Sequence, residues 1–293
     1  MAELNVNTKV SIKDNIKKKF RKDNGKINYI STAILIICSL VILFPLYITI
    51  NIAFKQPSDM MSSILSLPKT LSFSNFKDAI EMTNFFHAIF NSLFITGGSI
   101  IFTILTNSLV AYAIARNMNK KFYKFVYFYF VSAMFVPFSM MMLPLVKSVS
   151  SLGLDNKIGL IILYTVFGMS MNTLLYTGFL KNIPIALEEA AYVDGAKPWT
   201  VFWKIIFPLL KPMHATVGIM TALSTWNDVM MPLVILDQNQ ATLPLAQFIF
   251  QSKFGTNYNL AFASYLLALL PLLIFYLFAQ KWIINGVTNG AVK

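Results

Sequence analysis

Twelve carboxylates, two histidines and one cysteine are the stock of acid–base, metal-binding or thiol side chains in 293 residues. Their spacing excludes more than it offers. There is no H-E-x-x-H, no second cysteine and no clustered His/Asp set, so neither metal-assisted hydrolysis nor disulfide chemistry has a framework. No G-x-x-x-x-G-K-[ST] occurs either. The only Gly-Lys pair, Gly25-Lys26, is followed by Ile27, so the chain lacks a phosphate-cradling loop of its own. Two polar groups remain within an apolar sequence. One is the stretch "EEAAYVDGAKPWTVFWKIIFPLLKP" from Glu188 to Pro212, and the other is Trp226-Asn227-Asp228.

Asp228 has two readings. An acid at the centre of a spanning helix costs about 2.5–3.5 kcal/mol on insertion scales, less toward an interface. It is either an interfacial carboxylate bonded to a neighbour, or it faces a translocation path together with Trp226 and Asn227. Sugar sites combine an aromatic platform with amides or acids that satisfy hydroxyls. On that chemistry Asn91, Asn107, Tyr164, Asn172 and Trp226 are further candidates for the path, although each polar one serves equally well as an interhelical hydrogen bond. His87 and His214 read as interfacial residues, and Cys38 as apolar filler.

The elements that must position these groups are membrane spans. The chain is 56% hydrophobic and 12% charged, with a net charge of +12, against about 25% charged residues in soluble domains. The bases sit in short segments between apolar runs, not in a groove-lining set with interleaved aromatics, which argues against nucleic acid. Six runs of spanning length lie near 29–54, 89–115, 122–146, 157–180, 212–235 and 259–284. An all-α, polytopic architecture with six transmembrane helices is therefore expected. With the amino terminus inside, eighteen basic residues fall in inner segments and six in outer ones. That asymmetry predicts cytosolic termini and a cytosolic 181–212 segment. Residues 1–28 form a basic arm that fixes topology and touches anionic lipid, or docks as a regulatory element. Residues 29–293 form the membrane domain, with a tail at 285–293. The segment 237–259 is an outer loop too long to be a mere connector.

Within 181–212 the local signals spell helix, turn, helix. Asn182 is a candidate cap with Pro184 in the first turn. Glu188 and Glu189 suit the positive end of the helix dipole, and Gly195 is a left-handed terminator. A second helix starts at Lys197-Pro198, carries Trp199, Phe202, Ile205 and Ile206 at helical spacing, and is expected to end at Pro208 and Pro212.

These residues resemble the EAA loop of the membrane subunits of bacterial ABC importers. That motif has Glu-Ala-Ala, a glycine four residues on, then isoleucine and leucine-proline. Glu189, Ala190, Ala191, Gly195, Ile205 and Pro208 match it, and Phe207 stands in place of the leucine. Further blocks follow in order: "FNSLFITGG", "AYAIAR", "LGLDNKIG", "WNDVMMPLVIL", "TLPLA" and "NGVTNGAVK". Together they are similar to the MalG-type permease subunit of maltose-like and oligosaccharide importers. The resemblance implies a type I (MetI-like) transmembrane domain in a bacterial inner membrane, with no enzymatic site and no cofactor of its own. It implies a second, MalF-like permease subunit, two ABC ATPase subunits (MalK-like or shared) that hold ATP and magnesium, and an extracytoplasmic sugar-binding protein that meets the 237–259 loop. It places ATPase contacts at Glu188, Glu189, Ala190, Ala191, Asp194, Gly195, Ala196, Phe202, Ile205 and Pro208. A further tail contact falls around Gly286 and Gly290. The residues themselves leave open a rival class, an ion-coupled secondary transporter of small polar solutes, for which Asp228 is the one clear intramembrane acid.

Overall fold

The computed structural model describes residues 29–61, 63–254 and 257–291, and all regular structure among them is helical. The basic arm 1–28 lies outside the described residues. The chain divides into two compact units, Met1–Ser72 and Phe73–Lys293.

In the first unit, α1 (Tyr29–Ala53) is apolar over most of its length and carries no charge, and only Asn51, Ile52 and Ala53 of it are buried. At a rise of about 1.5 Å per residue it is long enough for a bilayer core of about 30 Å. Its last turn holds the loop that follows. Asn51 donates to the carbonyls of Ile64 and Ser66, both at 2.8 Å, and the buried Lys55 ammonium donates to Ser63 and Ile64.

The second unit opens with α2 (Ser74–Met82) and α3 (Phe85–Arg116), followed by α4 (Lys121–Ser132) and α5 (Phe138–Ser151). Next come α6 (Lys157–Leu180), α7 (Ala186–Val193), α8 (Pro198–Val201) and α9 (Phe207–Leu209). The chain closes with α10 (Lys211–Asn227), α11 (Met230–Ile235), α12 (Leu243–Phe254) and α13 (Tyr258–Ala291). Its central seam joins α3 to α6. Ser99, Thr103, Asn107 and Ser108 of α3 and Thr165, Asn172, Thr173 and Thr177 of α6 are all buried. Small polar side chains let spanning helices approach closely. The start of α6 is equally tight. Asn156 caps it by accepting from the N–H groups of Ile158 and Gly159, and a Cβ on Gly159 would lie 1.8 Å from the Leu154 carbonyl oxygen. That contact explains why "LGLDNKIG" ends in glycine.

Among the described residues α1, α3 and α6 are long and apolar enough to cross a membrane, and up to five spans result if each bent helix pair counts as one. The six expected runs are all largely helical, but two of them are interrupted. The run 122–146 breaks, because α5 and the stretch Lys121–Phe135 meet at 108°. The cause is Pro137, whose ring pushes Val136 out of the helical region to ψ 114°. The run 212–235 stops at Asn227, where Asp228 is extended at ψ 131°. The sixth run forms α13, of which Tyr258–Ile274 is the shorter apolar stretch. Helix α13 continues to Ala291, straight through the Asn-Gly pairs at 285–286 and 289–290 where a turn would be favoured. Two Asn-Gly pairs are only a weak bias against a helix already in progress. The expected outer loop 237–259 is also built structure. It holds a 3-10 turn at Gln238–Gln240 and α12, with Leu243 and Leu245 buried.

Candidate functional site

The stretch from Ala186 to Leu209 folds as a helical hairpin. Helix α7 ends at Asp194-Gly195, and Gly195 has φ +79°, a conformation that only glycine adopts without cost. The Ala196 N–H returns to the Ala191 carbonyl at 2.9 Å and closes the turn. Pro198 occupies the first turn of α8, where its missing N–H costs nothing.

Three local expectations are corrected. Asn182 does not cap the first helix, which starts at Ala186 after Ile185 with no side-chain cap. Pro208 and Pro212 do not end helices but occupy the first turns of α9 and α10. Between α8 and α9 the chain widens into a π-turn, Phe202–Ile206, whose closing bond runs from the Phe207 N–H to the Phe202 carbonyl. Proline at 208 has no N–H to donate to the Lys204 carbonyl, so the α pattern fails there. The helical stretches Pro198–Leu209 and Lys211–Asn227 then meet at 74°.

The hairpin sits on a base made by three spans. Ala191, Val201, Phe202 and Ile206 pack into one buried cluster with Ala111, Tyr176 and Val217. Glu188 is also turned inward, 4% exposed. Its Oε1 accepts from Arg116 Nε at 2.6 Å and its Oε2 from the Tyr112 hydroxyl at 2.6 Å. Arg116 also donates to the carbonyls of Leu180 at 3.2 Å and Ile183 at 3.1 Å. One guanidinium thus joins α3, the end of α6, the connecting loop and α7, as a planar fork of five donors can. Glu188, Ala191 and Phe202 are therefore part of the buried base that holds the hairpin.

The opposite face is free. Glu189, Ala190, Asp194, Gly195 and Pro208 are exposed, and Ala196 and Ile205 are half-buried. Val193 is 88% and Trp199 62% exposed, and the Trp199 and Trp203 rings stack at 6.2 Å. Beside them lies a groove of ≈ 540 Å³ that includes Tyr112, Arg116, Ile185, Glu189, Tyr192 and Trp199 in its lining. A Cβ on Gly195 would meet nothing within 4 Å, so the tip of the turn stands clear.

The other candidates are spread through the spans and are not gathered into one site. Asp228 accepts from the Tyr164 hydroxyl at 2.9 Å through Oδ2, and from the N–H groups of Met230 and Met231 through Oδ1. It caps α11 and ties it to α6. Asn91 donates to the Ala241 carbonyl and accepts from Lys157 Nζ. Asn107 donates to the Thr165 carbonyl, and Asn107 and Asn172 flank Gly168 in the seam. Trp226 packs with Ala88 and Leu243, whereas Asn227 is exposed and bonds to the Leu223 carbonyl in its own helix.

Two features escaped sequence reasoning. The Arg116–Glu188 pair had a signal: Tyr112 and Arg116 lie four residues apart, one turn of the same face, at the end of an apolar run. His214 is buried. Its Nδ1 faces the Tyr176 hydroxyl at 2.8 Å and its Nε2 the Phe207 carbonyl at 3.0 Å, across the 74° bend.

Residues 107–289 match the family described as "Binding-protein-dependent transport system inner membrane component". The chain is 39% identical over 279 residues to the multiple sugar-binding transport system permease protein MsmG of Streptococcus mutans, covering 93% of this chain and 100% of that one. It is 36% identical over 266 residues to AmyC of Thermoanaerobacterium thermosulfurigenes, a probable starch degradation products transport system permease protein, covering 90% and 97%. The melibiose/raffinose/stachyose import permease protein MelC of Bacillus subtilis is 36% identical over 252 residues, covering 85% and 91%. A chain from the crystal structure of a bacterial ABC transporter involved in the import of alginate shares the fold with a TM-score of 0.73 at 21% identity, covering 92% of this chain and 98% of that one. The chain thus belongs to the family of binding-protein-dependent transport system inner membrane components.

Proposed function

We propose that this chain is the permease subunit of an ATP-driven importer of sugars or oligosaccharides. It forms the translocation path with a second permease subunit, receives substrate from an extracytoplasmic binding protein, and is energised by two ABC ATPase subunits that hold ATP and magnesium. The observation that carries this reading is the hairpin itself. It has a rigid, buried base and an exposed rim of Glu189, Ala190, Gly195 and Trp199. A subunit without a nucleotide site needs such a projection for another protein to grip. The substrate class is supported by the sugar permeases among the relatives. The ion-coupled alternative is disfavoured because the carboxylate of Asp228 is committed to Tyr164 and to the start of α11.

The hairpin reading is tested at Gly195. Aspartate tolerates positive φ better than most residues, so Gly195→Asp adds some strain to the turn and a charge at the tip. The variant is expected to reach normal membrane abundance while retention of ATPase subunits in a detergent pull-down falls about tenfold, the effect of roughly 1.4 kcal/mol. Glu189→Ala should uncouple more mildly. Normal retention and normal transport in Gly195→Asp would reduce the hairpin to a connector.

Orientation follows from the charge asymmetry, which puts the hairpin and both termini in the cytosol. In a Cys38→Ser background, cysteine at the exposed Asn239 should react with an impermeant maleimide added outside whole cells. Cysteine at the exposed Asn119 should not. The reverse pattern would overturn the orientation.

A further inference from the structure

Helix α3 holds both ends of the second unit. At its carboxyl end Tyr112 and Arg116 grip Glu188 of the hairpin. Near its amino end it grips the 239–243 segment on the opposite side. His87 Nε2 lies 3.0 Å from the Asn239 carbonyl, Asn91 donates to the Ala241 carbonyl at 3.1 Å, and Ser92 Oγ accepts the Leu243 N–H at 2.8 Å. Tyr112 lies 20 residues along from Ser92, about 30 Å of helix, with no proline to bend it. Helix α6 braces the same helix at both ends, through Lys157 to Asn91 and through the Leu180 carbonyl to Arg116.

The covalent route between the same two places is poorer. The hairpin joins α10 through the 74° bend, and α10 stops at the extended Asp228 before the 239–243 segment begins. Movement sent along that route passes two joints. Movement sent along α3 passes no break in the helix, and its one weak point is Gly97-Gly98-Ser99.

We propose that α3 is the strut that links the hairpin to the 239–243 segment, with Tyr112, Arg116 and Ser92 as positioning residues at its two ends. A nucleotide-driven shift of the hairpin then displaces the outer segment through α3, and displacement of that segment is felt at the hairpin. This inference rests on the hairpin being the ATPase-docking element, as proposed above.

The test uses the assembled importer in nanodiscs, with cysteine at Asn239 in the Cys38→Ser background. Orthovanadate with ATP is the probe, and the readout is the ratio of maleimide labelling rates with and without it. Tyr112→Phe removes one hydroxyl and keeps the ring against Phe202, 5.2 Å away. Ser92→Ala removes one acceptor. Each variant is expected to retain the ATPase and to reduce the nucleotide-dependent rate change about fivefold, the lower end of typical coupling factors. The double variant should lose less than the product of the two single losses, because each variant weakens one end of the same strut while His87 and Asn91, or Arg116, still hold it. Losses that multiply, or single variants with an unaltered rate change, would overturn the strut while leaving ATPase docking intact. An unaltered chain that retained no ATPase would instead overturn the docking reading on which it rests.

Discussion

Replacing Arg116 with alanine should be the most damaging single change in the region of the hairpin, lowering stability by about 3–5 kcal/mol, the scale for removing one partner of a buried ion pair. The side chains of Arg116 and Glu188 are only 14% and 5% exposed, so solvent does little to screen the loss. Without the guanidinium, the Glu188 carboxylate keeps only the Tyr112 hydroxyl, and the carbonyls of Leu180 and Ile183 each lose a donor. Losses of even 1–2 kcal/mol change abundance several-fold in cells. The membrane level of Arg116→Ala should therefore fall, and the hairpin should become sensitive to protease added on its own side. Adding Glu188→Gln should recover the part due to the stranded charge but not the part due to the carbonyls. Arg116→Lys should recover less than its charge suggests, because an ammonium lacks the planar fork that reaches three acceptors. A melting curve for Arg116→Ala that overlays that of the parent would show that the pair does not hold the hairpin.

The second large effect is expected at Asp228. Alanine there removes the cap of α11, worth about 1 kcal/mol. It also leaves the Tyr164 hydroxyl without its acceptor, at a further cost of roughly 1–2 kcal/mol for a half-buried donor. Asparagine keeps both contacts with one reversed, since its side-chain oxygen caps a helix as well as aspartate does and its NH2 donates to the Tyr164 hydroxyl oxygen, which then acts as the acceptor. Asp228→Ala should therefore melt earlier in detergent, whereas Asp228→Asn should stay near the parent and still transport. The same pair separates the two transporter classes. A proton- or sodium-coupled carrier that used Asp228 as its coupling site would fold as Asp228→Asn and yet fail to transport, and that outcome would argue for the ion-coupled reading.

The spans were legible because apolar runs of about 20 residues have few alternatives. The hairpin was legible because Gly195 and Pro198 are local signals for a turn and a helix start. What could not be read were outcomes decided elsewhere in the chain. Adjacent residues on a helix point about 100° apart, so Glu188 and Glu189 face in different directions. Which one turns in is decided by Tyr112 and Arg116, more than seventy positions away in sequence. The break at Pro137 was hidden because hydropathy stays high across it, and only the Val-Pro pair marks it. Asp228 was ambiguous for the same reason as Glu188, since the Tyr164 hydroxyl that claims it lies on another span. At the tail the local evidence was simply outweighed: both Asn-Gly pairs lie within α13.

The wide turn at Phe202–Ile206 gives the hairpin a property that no single contact supplies. A π-turn carries one residue more than an α-turn, and in an α-helix each residue advances the azimuth by about 100°. That extra residue therefore sets the compass bearing of Trp199 and the Gly195 tip relative to the residues beyond Leu210. A chain one residue shorter at this point would keep its apolar spans and present a different side of the rim. The direction in which the hairpin faces is thus stored as a residue count, and an insertion or deletion in this turn acts as a dial.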